Sequence, residues 1–368
     1  MTIREAGVSG GACRPADGGQ THKATRLRGQ KKLKLIGLLA GLGLFVLLIE
    51  ETGPGTIVAR ISEVGAGFLV LILIFGVRHI LRTIAWYHAI EPEERQVRFW
   101  DLFGMRLVGE AVTDLTFLGP LLGETVKGVT LSRRISAEHS ASSLVIENLA
   151  YSSAAGLVIA GGLGLLVSEF ALPGSVRAAG FVVLVALFLI ASSIGLIFKK
   201  RYKVVGKVLD GMKRLKIGWG NKLEAKRDRV DRFEEIVHDF CRRHKAESAL
   251  ILLLEITAIL TGVIEAYIIL SLTVHRSSFL AAFIIEAVNR VVNLFFSFVP
   301  MRVGVDEGGT ALVVKAVGYS ASEGVSLAII RKIRTLFWVA VGLLLAARYS
   351  VPLKGRSENG ASPVAVSK

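Results

Sequence analysis

Four charged residues stand inside long apolar stretches of this sequence. Glu124, Glu147, Glu307 and Arg331 are each surrounded by runs rich in Leu, Val, Ile, Ala and Gly. A carboxylate or guanidinium near the centre of a bilayer costs about 2.5 to 3.5 kcal/mol on insertion scales, so it needs a partner or a watery cavity. We therefore interpret these four residues as candidate binding groups for a polar, charged substrate.

Two basic residues extend this candidate set. Lys127 follows Glu124 by three positions, which puts both on one helical face, so it forms either a local ion pair or a phosphate contact. Arg302 lies between Pro300 and Glu307 and could face an anionic group. For Glu124 and Glu307, the simpler alternative is stabilisation of a helix dipole by about 0.3 to 1 kcal/mol, which is less than the cost of insertion.

Other charged residues receive simpler interpretations. Glu286 and Arg290 are four positions apart and are expected to pair with each other. Glu110, Asp114 and Glu255 are expected nearer a membrane interface and are left out of the candidate site. Glu265 lies well inside its apolar run and is given the same functional interpretation as Glu147.

No catalytic or metal site is predicted. The seven histidines lack the paired spacing of a zinc site, and no Walker-type phosphate loop is present. We expect no cofactor and no enzymatic activity. Two alternatives stay open: a membrane enzyme that acts on lipid headgroups with Glu124 or Glu307 as acid or base, and a noncatalytic partner of a lipid-synthesis enzyme.

The apolar stretches that carry these residues predict an all-α integral membrane protein. The chain has 368 residues, 52% hydrophobic, with a mean hydropathy of +0.55. A helix needs about 17 to 25 apolar residues to cross a hydrocarbon layer of about 30 Å. Six runs meet this length, approximately at residues 33–49, 61–81, 141–167, 176–198, 248–272 and 325–347.

Two further segments are apolar but interrupted. Residues 99–131 contain Pro120 and several charges, and residues 279–317 contain Pro300. Broken helices at membrane depth occur where protein or a water-filled cavity surrounds them, so we predict two re-entrant segments. Each half of the chain then has two spans, a re-entrant segment and a third span, and an odd number of crossings makes the halves inverted repeats.

Charge distribution sets the orientation and domain boundaries. The net charge of +15 lies between and beyond the apolar runs, which argues against nucleic-acid binding. Residues 199–246 hold 16 Lys or Arg against 7 Asp or Glu and are predicted to be a cytoplasmic loop that contacts anionic headgroups or a synthesis enzyme. The predicted divisions are a disordered basic tail at 1–32, membrane parts at 33–198 and 247–347, the loop between them, and a disordered tail at 348–368.

A family resemblance rests on several motifs taken in order. These are the stretch from Arg82 to Trp86, Pro120 followed by Gly123 and Glu124, Glu147, Pro300 followed by Gly304 to Glu307, and Arg331. From about residue 33 to 347 the chain resembles the transmembrane region of lysylphosphatidylglycerol synthases. It departs at Asp306 and Asn148, where family members tend to carry a basic residue.

The resemblance implies a lipid-translocating function. About twenty residues follow Ala347, so we expect the translocating part without the soluble aminoacyl-transferase domain. The predicted function is translocation of an anionic or aminoacylated lipid, or a lipid-linked headgroup, across the bacterial inner membrane. Membrane lipids are the predicted partners, and both termini are predicted to be cytoplasmic.

Overall fold

The described part of the protein is helical. The computed structural model describes residues 53–170, 177–186, 227–274, 277–297 and 299–350, with isolated positions at 43, 46, 50, 174, 175 and 189. Over these ranges the chain forms helices and connecting turns, without a strand. The predicted tail at 1–32, nearly all of the predicted span at 33–49, part of the span at 176–198, and residues 199–226 and 351–368 lie outside the described residues. The first three residues of the predicted tail at 348–368 belong to the last described helix.

Eleven helices are labelled here in chain order over those ranges. They are α1 Pro54–Val64, α2 Gly67–Ala89, α3 Phe99–Leu115, α4 Gly119–Leu131, α5 Ala137–Glu169, α6 Arg177–Ala186, α7 Arg227–Arg243, α8 Lys245–Val274, α9 Phe279–Phe295, α10 Val305–Ala316 and α11 Ala321–Ser350. Two short 3₁₀ turns lie at Pro92–Glu94 and Pro300–Arg302.

Three described helices are long and apolar enough to cross a membrane, namely α2, α5 and α8. Helix α11 is as long as α8, at 30 residues, but carries Arg331, Lys332 and Arg334 near its middle. These lengths and compositions are those of an all-helical membrane protein. The predicted span at 61–81 had the wrong start, because a turn at residues 65–66, with Gly65 at φ 58°, separates α1 from α2.

The predicted breaks in the two charged apolar segments are confirmed. Helices α3 and α4 have 17 and 13 residues, and α9 and α10 have 17 and 12, so each is about 18 to 26 Å long and shorter than a hydrocarbon layer of about 30 Å. Pro120 lies in the first turn of α4, where its missing N–H leaves no bond unmade. Met301 and Arg302, both at φ 47°, interrupt the second segment.

The two broken pairs open toward opposite ends of the bundle. Leu102 of α3 and Leu131 of α4 pack with Trp86 near the end of α2 and Leu144 near the start of α5. By contrast, the start of α9 and the end of α10 belong to an apolar cluster that contains the late part of α5 and the early part of α11, including Leu166, Ala281, Val314 and Leu327.

The breaks themselves lie against each other. Met301, in the second break, shares a buried cluster with Ala111 and Leu115 at the end of α3. Leu336 and Val339 of α11 complete this cluster. The end of α3 and the second break therefore meet inside the bundle, although the two broken pairs start from opposite ends of it.

Helix α7 packs against one end of the bundle. Its Val237 and Phe240 are buried with Ala85 of α2, Ile146 of α5 and Ile251 of α8. The described apolar side chains of α7 therefore pack against the bundle.

Candidate functional site

Arg82 of α2 lies at the centre of a buried charged cluster. Its guanidinium donates to Glu110 Oε1 at 3.3 Å, to Glu147 Oε1 at 3.0 Å and to Glu255 Oε2 at 3.2 Å. These carboxylates come from α3, α5 and α8 respectively. Arginine suits this position because its planar group offers five donors in fixed directions. One side chain of α2 thus joins three other helices.

Two more basic groups complete this first cluster. Arg106 of α3 donates to Glu147 Oε1 at 2.5 Å, and both side chains are fully buried. Lys127 of α4 lies 2.5 Å from Glu124 and 4.0 Å from Glu110. The local Glu124–Lys127 pair expected from their spacing therefore forms. We call Arg82, Arg106, Glu110, Glu124, Lys127, Glu147 and Glu255 the first cluster.

A second cluster joins α8, α9 and α11. Arg331 donates to Glu286 Oε2 and to the Gly262 carbonyl, both at 2.9 Å. Arg290 donates to Glu286 Oε1 at 2.8 Å, which confirms the predicted pair within α9. Arg334 donates to Glu265. We call Glu265, Glu286, Arg290, Arg331 and Arg334 the second cluster.

Tyr151 of α5 connects the two clusters. Its hydroxyl accepts a hydrogen bond from Arg290 at 3.0 Å. The guanidinium of Arg82 lies over the same ring, 4.4 Å from its centroid, in a cation–π contact. The charged interior therefore extends without interruption from the first broken pair to helices of the second half.

The remaining candidate residues lie on or beside α10. Glu307 accepts from Lys332 of α11, and Arg302 donates to Asp306 at 3.1 Å. Among the described residues, the only direct ion pair between two of the six sequence-predicted binding residues is Glu124–Lys127. Glu124, Lys127 and Glu147 belong to the first cluster, Arg331 belongs to the second, and Arg302 and Glu307 contact neither cluster by an ion pair.

Arg78 differs from the arginines of both clusters. It lies one helical turn before Arg82, halfway along α2, and forms no ion pair within the described ranges. Its electrostatic neighbours include Arg290, Tyr151 and Glu286. Its side chain is partly exposed, and its guanidinium lies 5.3 Å from the ring of Phe75. Arg78 thus supplies a cation that remains open to an anionic ligand.

The buried interior has unused hydrogen-bonding capacity. Atoms without a partner among the described residues include Arg106 Nη1, Glu147 Oε2, Glu255 Oε1 and Arg331 Nε. Buried polar atoms are normally bonded, so such a concentration marks a place for water or a polar ligand. No group of three or more His, Cys, Asp or Glu in the described ranges could hold a metal ion. The arrangement suits charge binding.

Residues 34–342 match the family described as the lysylphosphatidylglycerol synthase TM region. The chain belongs to this family. The matched range includes both clusters and both broken helix pairs. No match was found among curated proteins or among solved structures.

The two departures from the pattern of the lysylphosphatidylglycerol synthase TM region have local partners. Asp306 pairs with Arg302, one turn away. The amide of Asn148 donates to the Leu144 carbonyl of its own helix at 2.9 Å. Asn148 therefore adds no charge beside Glu147, and the two cations that Glu147 binds come from other helices.

Sequence reasoning missed several members of the clusters. Glu110 and Glu255 were left out of the candidate site, yet both bind Arg82 inside the bundle. Arg82 and Arg78 were not among the candidate residues either. Their four-residue spacing, which puts both on one face of α2, was the available signal that they act inside the bundle.

Proposed function

We propose that this member of the lysylphosphatidylglycerol synthase TM region is a lipid translocase. It would move an anionic or aminoacylated lipid, or a lipid-linked headgroup, across the bacterial inner membrane. The observation that carries the proposal is a continuous buried charged interior between two broken helix pairs that open toward opposite ends of the bundle. Such an interior can shelter a headgroup while its apolar chains stay in lipid.

The charges suit a headgroup that contains phosphate. Arg78 would contact the phosphate, because it is the arginine of this interior without a carboxylate partner in the described ranges. Glu124 and Glu307, whose side chains are 32% and 21% exposed, would face a cationic portion of the headgroup. Lys127 and Lys332 would hold these carboxylates when no substrate is bound.

The proposed topology has six crossings and inverted repeats. The opposite openings of the two broken pairs support inversion, and the basic residues 199–246 support a cytoplasmic loop with both termini on the same side. In this proposal that loop contacts anionic headgroups or a lipid-synthesis enzyme, and the chain moves lipid without changing it chemically.

Reconstitution tests the proposal directly. Purified protein in vesicles should accelerate exposure of fluorescent phosphatidylglycerol to dithionite, or of lysylphosphatidylglycerol to an impermeant amine reagent. Glu124→Gln and Glu307→Gln should each abolish this acceleration while the protein stays folded, because both carboxylates are partly exposed. Glu93→Gln is the matched control, since Glu93 is exposed in the turn that precedes α3.

Two results would contradict the proposal. One is wild-type protein that accelerates exposure of no phospholipid, aminoacyl lipid or polyprenyl phosphate. The other is normal translocation by both glutamine variants. Mass spectrometry of the recovered lipids separates transport from chemistry, because an enzyme would leave a lipid of altered mass.

A further inference from the structure

Two carboxylates of the first cluster share Arg82 and each keep one oxygen without a hydrogen-bond partner in the described ranges. Glu147 Oε1 accepts from Arg82 and Arg106, and Glu255 Oε2 accepts from Arg82. The second oxygen of each, Glu147 Oε2 and Glu255 Oε1, is buried and has no partner in the described ranges. The two side chains are close enough to form a hydrogen bond with each other.

One proton shared between the two carboxylates would give both of these oxygens a hydrogen bond. Two ionised carboxylates only accept hydrogen bonds, so as neighbours they repel and leave both inner oxygens unbonded. One added proton turns the pair into an O–H···O⁻ hydrogen bond, which satisfies both oxygens and is among the stronger bonds that proteins form. Glu147 and Glu255 are fully buried, so solvent does not offset the repulsion.

The surrounding charges favour the same state. The first cluster contains three basic side chains and four carboxylates, an excess of one negative charge. The unpaired Arg78 is not a substitute, because its electrostatic neighbours are Arg290, Tyr151, Glu286 and Arg82. The cations that act on the pair are Arg82 from α2, Arg106 from α3 and Lys127 from α4. The charged or titratable groups that adjoin these cations or their partners are Arg78 and His79 from α2, Glu110 from α3, Glu124 from α4, Tyr151 from α5 and Arg290 from α9.

We propose that Glu147 and Glu255 hold one proton between them, and that its release and return drive lipid transport by this chain. The second half of this inference rests on the proposed function. Each glutamate lies ten residues from the start of its helix, about 15 Å along it, which is near half the thickness of a hydrocarbon layer. Both helices start at the α7 end of the bundle, so the pair lies level in depth.

With the proton bound the cluster is neutral, and release of the proton to water leaves it with one uncompensated negative charge. A cationic group of a lipid headgroup can balance that charge, and so can the returning proton. The proton and the cationic group would therefore occupy the interior alternately. This exchange couples movement of one to movement of the other.

Infrared spectroscopy tests the proton site without any transport. Wild-type protein at neutral pH should show the carbonyl stretch of a buried protonated carboxyl, shifted in D₂O. Glu255→Gln should remove this band yet keep the fold, since its amide can donate to Glu147 Oε2 as the shared proton does. Glu93→Gln should keep the band. A folded wild-type protein without the band would overturn the proposal.

Vesicles with an imposed pH difference test the coupling. Initial rates of lipid exposure by wild-type protein should change in opposite senses for the two directions of the gradient, and Glu255→Gln should respond to neither. Translocation that ignores the gradient would overturn the coupling while leaving the proposed function standing. The band together with no translocation of any lipid would instead refute the proposed function and leave the proton site standing.

Discussion

Replacement of Arg82 should destabilise the bundle more than replacement of any peripheral arginine. Arg82→Gln removes the one cation that forms an ion pair with Glu255 among the described residues. It leaves Glu147 with Arg106, and Glu110 with Lys127 at 4.0 Å. Removing one partner of a buried ion pair costs about 3 to 5 kcal/mol, because the remaining charge is left uncompensated. At about 2 to 4 °C per kcal/mol, the midpoint of thermal unfolding should fall by roughly 10 °C.

Thermal unfolding in detergent measures this change. The fraction that stays monodisperse after heating gives the midpoint, and Arg133→Gln is the control because Arg133 is exposed in the turn between α4 and α5. Adding Glu255→Gln to Arg82→Gln should recover part of the loss, with a coupling energy of about 0.5 to 3 kcal/mol. A midpoint equal to that of Arg133→Gln, or a double variant with no recovery, would show that Arg82 does not hold the cluster together.

Two further variants test other parts of the structure. Gly262→Ala should lower the midpoint of thermal unfolding by an amount equivalent to about 1 to 3 kcal/mol, because its Cβ would lie 2.6 Å from Glu286 Oε1. Gly164→Ala on α5 is the control, because its Cβ meets open space and should leave the midpoint unchanged. Equal midpoints for the two variants would refute the close packing at Gly262. Single-cysteine variants of a protein without its two native cysteines test the topology in intact cells. Gly174→Cys should react with an impermeant thiol reagent, while Ala225→Cys and Gly360→Cys stay protected. Labelling of residue 225 from outside the cell would exclude the proposed topology.

The breaks and local pairs were predictable because their causes are close in sequence. Pro120 is unfavourable inside a continuous helix but fits the first turn of a new one. The Glu124–Lys127 and Glu286–Arg290 pairs need only helical spacing to form. Hydropathy alone could not place the start of α2, since the turn at Gly65 depends on backbone freedom rather than on polarity.

The cluster contacts between residues far apart in sequence could not be predicted, for a physical reason. Which carboxylate meets Arg82 depends on how α2 is rotated against α5 and α8, and this rotation is decided by packing over the whole length of the helices. For this reason Glu255 was left out of the candidate site. The partner of Glu307 could not be predicted for the same reason, because Lys332 lies on a different helix, α11.

The contacts of Arg82 also constrain the order in which the protein can be made. Its carboxylate partners follow it by 28, 65 and 173 residues, so the last one is synthesised long after α2. At about 5 to 20 residues per second, Glu255 emerges roughly 10 to 35 seconds after Arg82. During that interval α2 holds an arginine whose final site is unfinished. Biogenesis of this protein must therefore retain α2 beside the insertion machinery, or in a shallow position, until the second half of the chain arrives.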